Sequence, residues 1–524
     1  VTTPAAQTVA AAFARTEAGT PRNPFLLVLP ETAHAYDIQS GTITYAEATE
    51  RIAQLRAAYA TAGYGRGHRI GLMLENRPSF FLHWLALNAL GVSVVPLNPD
   101  LRPAECNYLM HHSELVLAVA AASHVPALRA IAPDVSVIDD AATPPPAPIA
   151  AIEAIPDHAT ECALLYTSGT TGRPKGCVLS NDYFLRAGAW YARIGGLCAL
   201  HAGDRLITPL PLTHMNAMAY SSMAMIVTGG CIVQLDRFHP RSWWDAVRDS
   251  RASIVHYLGV MPSMLLNAPP DARDRDHAVR FGFGAGVDRR HHAAFEDRFG
   301  FPLLEAWAMT ETGAGAVVIA NREPRHVGTS CFGRPESAVA VRIAPEDGEL
   351  LVRANGNDPR AGFFTEYLKD APATEAAWEG GWFHTGDIVR ADASGYLYFV
   401  DRKKNIVRRS GENISAAEVE TVLRRHPAVA EVAVAAAPDD VRGEEVLACI
   451  VPRMPVADPA ETAADIVRAA LTELSYFKVP GWIAFVDALP LTASQKVARG
   501  ELKAMAQRLL AEGGCVDTRG LKRR

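Results

Sequence analysis

The chain has 524 residues, 49% of them apolar and 21% charged, and its 51 Lys and Arg against 57 Asp and Glu give a formal net charge of −6. That length exceeds a single hydrophobic core and predicts at least two domains, while the slight acidic excess gives no electrostatic reason to expect nucleic acid or an anionic membrane as partner. Eight cysteines without a C-x-x-C pair predict reduced thiols in a cytoplasmic protein, with neither a disulfide framework nor a cysteine zinc cage.

The first residues, VTTPAAQTVAAAFART, lack a basic stretch, and the longest strongly apolar run, Met223 to Val233, is broken by Gly229 and Gly230. Neither a signal peptide nor a membrane span is read. Apolar residues at helical spacing predict a helix from Thr44 to Tyr59, a short buried strand at Arg69 to Leu74, and a second helix from Phe80 to Leu90 before GVSVVPLN. The run TPPPAP, Thr143 to Pro148, predicts an extended surface connection, since proline denies it a helix or a ladder.

Just beyond it, Tyr166 to Gly176 reads YTSGTTGRPKG. Gly169 and Gly172 let backbone N–H groups approach phosphate oxygens, Thr167, Ser168, Thr170 and Thr171 add hydroxyls, and Lys175 adds a point charge. The loop argues for ATP, yet it departs from the Walker pattern, because Lys175 is followed by Gly176 and stands only three residues after Gly172. Taken alone, such a run is also what an ordinary surface turn looks like.

Alternation continues through Arg205 to Leu210, a helical stretch after Met215, Cys231 to Leu235, the helix-like Pro240 to Asp249 and the strand in ASIVHYLGV. Beyond Gly328 the texture changes to shorter strands, at Ala338 to Ile343, Glu349 to Arg353 and Tyr396 to Val400, and a boundary is expected at the charged DRKKN, Asp401 to Asn405. The predicted fold class is α/β, with a large multi-subdomain N-terminal α/β domain, residues 1–401, and a small α+β C-terminal domain, residues 402–524. An amphipathic stretch at Ala416 to Arg425, a strand in AEVAVAAA and a helix from Glu461 to Leu474 carry the second part.

Four segments join the phosphate loop: AWAMTETG at Ala306 to Gly313, GWFHTGDIV at Gly381 to Val389, DRKKNIVRRSGENISAAEV at Asp401 to Val419, and LPLTASQKVARGELK at Leu489 to Lys503. Together with YTSGTTGRPKG they resemble, in order and rough spacing, the motifs of the acyl-adenylate-forming superfamily, which includes acyl-CoA synthetases, luciferases and peptide-synthetase adenylation domains. The run DR-x-x-N…GENIS looks most like small-acid CoA ligases of the crotonobetaine/carnitine type.

The resemblance implies ATP and Mg²⁺ as cofactors, a small carboxylic acid as substrate and CoA as second substrate. Lys496 and Lys175 would be catalytic cations, Thr310 would bond the α-phosphate, Glu311 would hold Mg²⁺, and His214 would gate the site. Trp307 stands where an aromatic stacks on adenine, Asp387 where an aspartate holds both ribose hydroxyls, and Arg402 where an arginine reaches the nucleotide. Lys404 matches a hinge about which the small domain is mobile, bringing Ser410, Gly411, Glu412 and Asn413 in as the acceptor channel. The acyl pocket would draw on Asn216, Tyr220, His256, Gly284, Ala308 and Gly313. For His214 and His256 a satisfied structural imidazole is an equal reading, for Trp307 core packing, for Asp387 a turn and for DRKK a solvated face.

Three departures from the family pattern stand out: Gln495 and Ala308 where glycine is usual, and Ser410 where glycine or arginine is. The Ala308 methyl should narrow the acyl pocket or displace the ligand, while Gln495 and Ser410 leave room for an amide-forming ligase that hands the acyl group to an amino acid or amine. A carrier-loading adenylation enzyme and a nucleotide sensor without catalysis are the further alternatives. No nucleic acid or membrane partner is expected, and a homodimer is compatible with the pattern.

Overall fold

The computed structural model describes residues 6–101, 103–167, 174–409, 412–439, 442–474, 476–492 and 496–522, with the backbone alone for Lys404, Arg408, Glu412 and Asn413. Two large sheets organise the N-terminal part. One has eight strands, in the order Val318–Ile319, Leu303–Trp307, Phe281–Ala285, Ile254–Leu258, Arg205–Thr208, Cys231–Gln234, Pro24–Val28 and Gly41–Thr44. Its six inner strands are parallel and both edge strands antiparallel.

The other has seven strands, ordered Glu366–Tyr367, Lys175–Ser180, Glu161–Thr167, Ser93–Pro96, Arg69–Met73, Leu117–Ala120 and Val137–Asp139. Its parallel strands are buried on both faces, which is why they read as unbroken apolar runs.

Local rules place the helices. Thr44 caps Tyr45–Thr61 in a full capping box, its hydroxyl accepting from Glu47 N while Glu47 accepts from the Thr44 N–H at 2.7 Å. Such a cap contributes about 1 kcal/mol. Pro78 opens Pro78–Asn88, and every residue from Phe80 to Asn88 is buried, so this helix lies inside the assembly. Asn88 ties it down, donating to Asn181 Oδ1 at 2.8 Å and accepting from Ala10 N at 2.9 Å.

The helical stretch expected after Met215 begins as a π-helix, Asn216–Ser221, before Ser222–Thr228 continues as α-helix. The helix expected from Pro240 starts at Trp243, and the one expected at Glu461 runs from Pro459 to Leu471.

A third sheet of five antiparallel strands, Cys331–Gly333, Leu397–Arg402, Phe383–Ala391, Glu349–Ala354 and Val339–Ile343, completes this part. The chain then enters a six-stranded sheet built from Glu412–Ser415, Ile406–Arg409, Gly443–Pro452, Val429–Asp439, Trp482–Phe485 and Val516–Asp517. The two parts have separate cores: the main cluster runs from Val9 to Leu397, and the second starts at Val407. The eight cysteines are unpaired, and no helix among the described residues is long and apolar enough to cross a membrane.

Candidate functional site

Strands Glu161–Thr167 and Lys175–Ser180 pair with Thr167 opposite Lys175, so the two ends of the glycine-rich loop are fixed side by side. Ser168, Gly169, Thr170, Thr171 and Gly172 lie outside the described residues. The fixed ends already meet the TETG turn, since Thr167 Oγ1 donates to Glu311 Oε1 at 3.4 Å. Glu311 is only 6% exposed and also accepts from the Tyr367 hydroxyl at 3.0 Å.

Tyr367 serves twice. Its ring carries Lys175 Nζ 4.7 Å from the centroid, and that ammonium sits 3.9 Å from Asp370 Oδ2. The ammonium is thus held between an aromatic face and a carboxylate. Nothing in the spacing of FFTEYLKD singles this tyrosine out; its place follows from strand Glu366–Tyr367 adding to the edge beside Cys177 and Val178. Thr310 is fixed through its backbone, its C=O accepting from the buried Tyr183 hydroxyl at 2.9 Å.

Asp387 forms the other wall. It lies directly across the antiparallel ladder from Arg402 and is 1% exposed. One oxygen, Oδ2, accepts from the Trp307 indole N–H at 2.8 Å. The other, Oδ1, is 2.7 Å from Arg402 Nε in an ion pair but has no donor aligned with it. Burial pushes this carboxyl above its ordinary range, against the Arg402 charge and the Trp307 hydrogen bond that pull it down. A buried carboxylate oxygen with an open lone pair is a ready acceptor for ligand hydroxyls.

The expectation for Trp307 changes here. The indole is 6% exposed and packs against Phe332, with centroids 6.1 Å apart. Its N–H is spent on Asp387, so in this arrangement Trp307 orients the carboxylate and offers little free face for stacking on adenine.

The acyl-pocket expectation also narrows. His256 is fully buried, its Nδ1 facing Asn216 Oδ1 at 3.0 Å and Ser221 Oγ at 2.8 Å, and its Nε2 meeting the Tyr191 hydroxyl at 3.0 Å. Burial pushes its pKa down to about 3, so the ring is neutral. Tyr220 donates to Gly313 O at 2.9 Å. These polar atoms are committed to protein partners and are not free for a ligand.

The two glycines of that set are demanded by packing. A Cβ on Gly284 would come 2.3 Å from Tyr257 O, and one on Gly313, at φ +46°, would come 2.3 Å from the Tyr183 ring. Asn216 and Ala308 remain partly open.

Lys496 is exposed, on a loop closed by the bridge between Leu491 and Val497, where Thr492 N donates to Lys496 O at 2.7 Å. The His214 imidazole is held below its ordinary range by surrounding protein first and by the Lys496 charge second. His214 is exposed. Gln495 lies outside the described residues.

Between the two domains, Lys403 Nζ pairs with Asp347 at 2.9 Å and Glu349 at 2.7 Å on the five-stranded sheet. Asp401 faces the other way, accepting from Ser415 Oγ at 2.7 Å and Ala417 N at 2.9 Å at the start of helix Ala416–Leu423. Lys404 lies in the short 3₁₀ turn Lys403–Asn405. Ser410 and Gly411 are outside the described residues, while Glu412 and Asn413 open the next strand.

The folded chain thus gathers Thr167, Lys175, Glu311 and Tyr367 into one contact group, and Trp307, Asp387 and Arg402 into another. Trp307 ends strand Leu303–Trp307 four residues before Glu311, so one segment of chain carries a member of each group. A hydroxyl and a cation in one group, an open carboxylate in the other and the exposed Lys496 suit a phosphorylated nucleoside and a second anionic substrate. Among the described residues no group of three or more His, Cys, Asp or Glu forms a protein metal cage. A lone buried carboxylate such as Glu311 fits a magnesium ion that arrives with phosphate oxygens as its other ligands.

Residues 17–357 match the AMP-binding enzyme family, and residues 418–496 match the AMP-binding enzyme C-terminal domain. The chain is 29% identical over 492 residues to the crotonobetaine/carnitine–CoA ligase of Escherichia coli, an alignment spanning 88% of this chain and 93% of that protein. The o-succinylbenzoate CoA synthetase of Bacillus subtilis in complex with ATP and magnesium superposes with a TM-score of 0.79 at 25% identity, covering 94% of this chain and 98% of the other. The Mycobacterium tuberculosis fatty acyl CoA synthetase shares the fold, with a TM-score of 0.71 at 23% identity and coverage of 96% and 98%.

Proposed function

The chain belongs to the AMP-binding enzyme family, and from that premise we propose that it is an ATP- and magnesium-dependent acid:CoA ligase working in two half-reactions. A carboxylate oxygen of a small acid attacks the α-phosphorus of ATP and pyrophosphate leaves. The CoA sulfur then attacks the acyl carbon, the thiol proton passes to solvent, and AMP leaves.

The observation that carries this reading is the Asp387 carboxylate, buried yet with Oδ1 unaligned to any donor, in one site with Glu311 and Lys175. Asp387 accepts the ribose hydroxyls, and Arg402 balances its charge and contacts the nucleotide. Lys175 and the loop Thr167 to Gly172 hold the phosphates, and Thr310 bonds the α-phosphate. Glu311 would hold magnesium, which when bound neutralises phosphate charge. Lys496 bridges the attacking carboxylate and the phosphate.

Residues 1–401 carry this adenylation site and residues 402–524 the mobile domain, turning at Lys404 so that Ser410, Gly411, Glu412 and Asn413 replace Lys496 for the second step. The separate cores on either side of Val400–Ile406 support that division. A cytoplasmic enzyme is the fitting setting for CoA and for eight unpaired cysteines, and a homodimer is part of the reading. The deciding experiment is a panel of carboxylic acids read by pyrophosphate release, with CoA, with amino acids and with neither. Acceleration by CoA and a hydroxylamine-sensitive thioester are expected; an N-acyl amino acid formed faster than any thioester would replace CoA with an amine.

A further inference from the structure

Beside strand Ile406–Arg409 lies a buried ion cluster in which, among the described residues, one carboxylate faces two cations. Glu445 is fully buried. Its Oε2 receives Arg409 Nε at 2.9 Å, and its Oε1 receives Lys522 Nζ at 2.7 Å together with its own neighbour, Val446 N, at 2.8 Å. All three side chains are at most 4% exposed. One cation would balance the carboxylate, and burying a second is costly. Lys522 registers that cost: burial pushes its pKa down to about 8 in spite of the Glu445 contact, with the charges of Arg409 and Arg442 acting the same way.

The cluster is built with care on both sides. Gly481 sits so close that a Cβ there would lie 2.5 Å from Glu445 Cδ, so the carboxylate has one seat. Strand Val516–Asp517 pairs with Trp482–Phe485, Thr518 Oγ1 donates to Pro480 O at 2.7 Å, and Arg519 stacks on Trp482 at 4.3 Å, which together deliver Lys522 to Glu445. Arg409 is the last residue of Ile406–Arg409, paired across the hairpin with Glu412 and, on its other side, with Gly443 at the start of Glu445's own strand. Charge balance explains one of the two cations; the position of the other is what remains to be explained.

We infer that Arg409 is a positioning residue for the thioester-forming half-reaction, bolting strand Ile406–Arg409, and through its ladder the strand Glu412–Ser415 that carries Glu412 and Asn413, to Glu445, with Lys522 keeping the shared carboxylate turned toward it. The inference rests on the acid:CoA ligase reading and extends it to a residue of the 401–419 segment to which no role has been given above. Arg409 touches neither substrate; it acts through the strand that carries the turn.

The excess cation makes the test clean. Arg409→Met leaves Glu445 paired with Lys522, so no buried charge is orphaned and the domain keeps its balance. With the full chain, single-turnover pyrophosphate release from acid and ATP should stay within about twofold of the parent, while KM for CoA measured from supplied acyl-AMP should rise about tenfold or more, with kcat changing less. Arg409→Lys should recover most of that loss. The companion Lys522→Met, which leaves the Arg409–Glu445 pair intact, should shift KM for CoA by less than Arg409→Met. An unchanged KM for CoA in Arg409→Met, or equal losses in both half-reactions, would overturn the inference. If the parent enzyme forms no thioester from acyl-AMP and CoA, the ligase reading itself falls and this role falls with it.

Discussion

Asp387 and Lys496 are both charged, and they are held in opposite ways. Asp387 sits in a ladder, 1% exposed, with Trp307 and Arg402 on its two oxygens. Lys496 is exposed on a loop held by a bridge and a few backbone contacts. A group that binds a nucleotide through both steps gains from a rigid seat, because its orientation is settled before the ligand arrives. One that must serve one step and then withdraw gains from loose fixation. On the proposed reading the large domain is a preset mould, and the small domain carries the part that changes.

Removing the movable charge should give the largest effect. Lys496→Ala is expected to slow acyl-AMP formation from free acid by roughly two orders of magnitude or more, the scale of a lost transition-state contact. Thioester formation from supplied acyl-AMP should be nearly unaffected; equal losses by both routes would give Lys496 a fixed role and break the contrast.

Asp387→Ala tests the mould. With Oδ2 spent on Trp307, the ligand gains chiefly at Oδ1, so about 1.5–3 kcal/mol of ATP binding should vanish. The ATP KM should rise far more than the KM for the acid, and an unchanged ATP dependence would remove Asp387 from the site.

The mould should also be sensitive to acid. His256 has a folded pKa of about 3, against about 6.5 unfolded. Between those values the unfolded chain binds the extra proton, so this contribution is fully present above pH 6.5 and is lost as pH falls toward 3. It amounts to about 2 kcal/mol lost by pH 5. Denaturant midpoints between pH 7.5 and 5 should therefore fall more steeply for the parent than for His256→Gln; equal slopes would place the titrating group elsewhere.

The smallest effect is expected for Trp307→Phe, which keeps the packing against Phe332 and removes one hydrogen bond to a charged oxygen. ATP binding should weaken by about 1 kcal/mol. A loss as large as that of Asp387→Ala would mean that the indole contacts the nucleotide directly.

Much of this was legible before any coordinates. The helix beginning at Thr44, the strand at Arg69 and the antiparallel strands after Gly328 follow from local periodicity and capping, which need no distant partner. What was not legible depends on contacts far apart in the chain. Tyr367 meets Glu311, and Trp307 meets Asp387, only because separate sheets bring them together. Gly284 and Gly313 resembled pocket residues in the motif and proved to be places where tyrosines press on backbone. The π-helical turn at Asn216 has no signature in its residues, since it is settled by His256 reaching Asn216 and Ser221 from another strand.

Asp401 stands before the 403–405 turn, and its partners Ser415 and Ala417 stand after it. Any rotation about that turn draws the carboxylate away from the first residues of helix Ala416–Leu423. The Ala417 N–H then needs water in its place, at a cost of about 1–2 kcal/mol for a lost cap. On the proposed rotation at Lys404, the two arrangements of the small domain would differ by the fraying of a helix end as well as by the residues they present, and the exchange between them should respond to whatever favours free helix termini. Amide hydrogen exchange at Ala417 would report the turnover of the domain without any substrate bound.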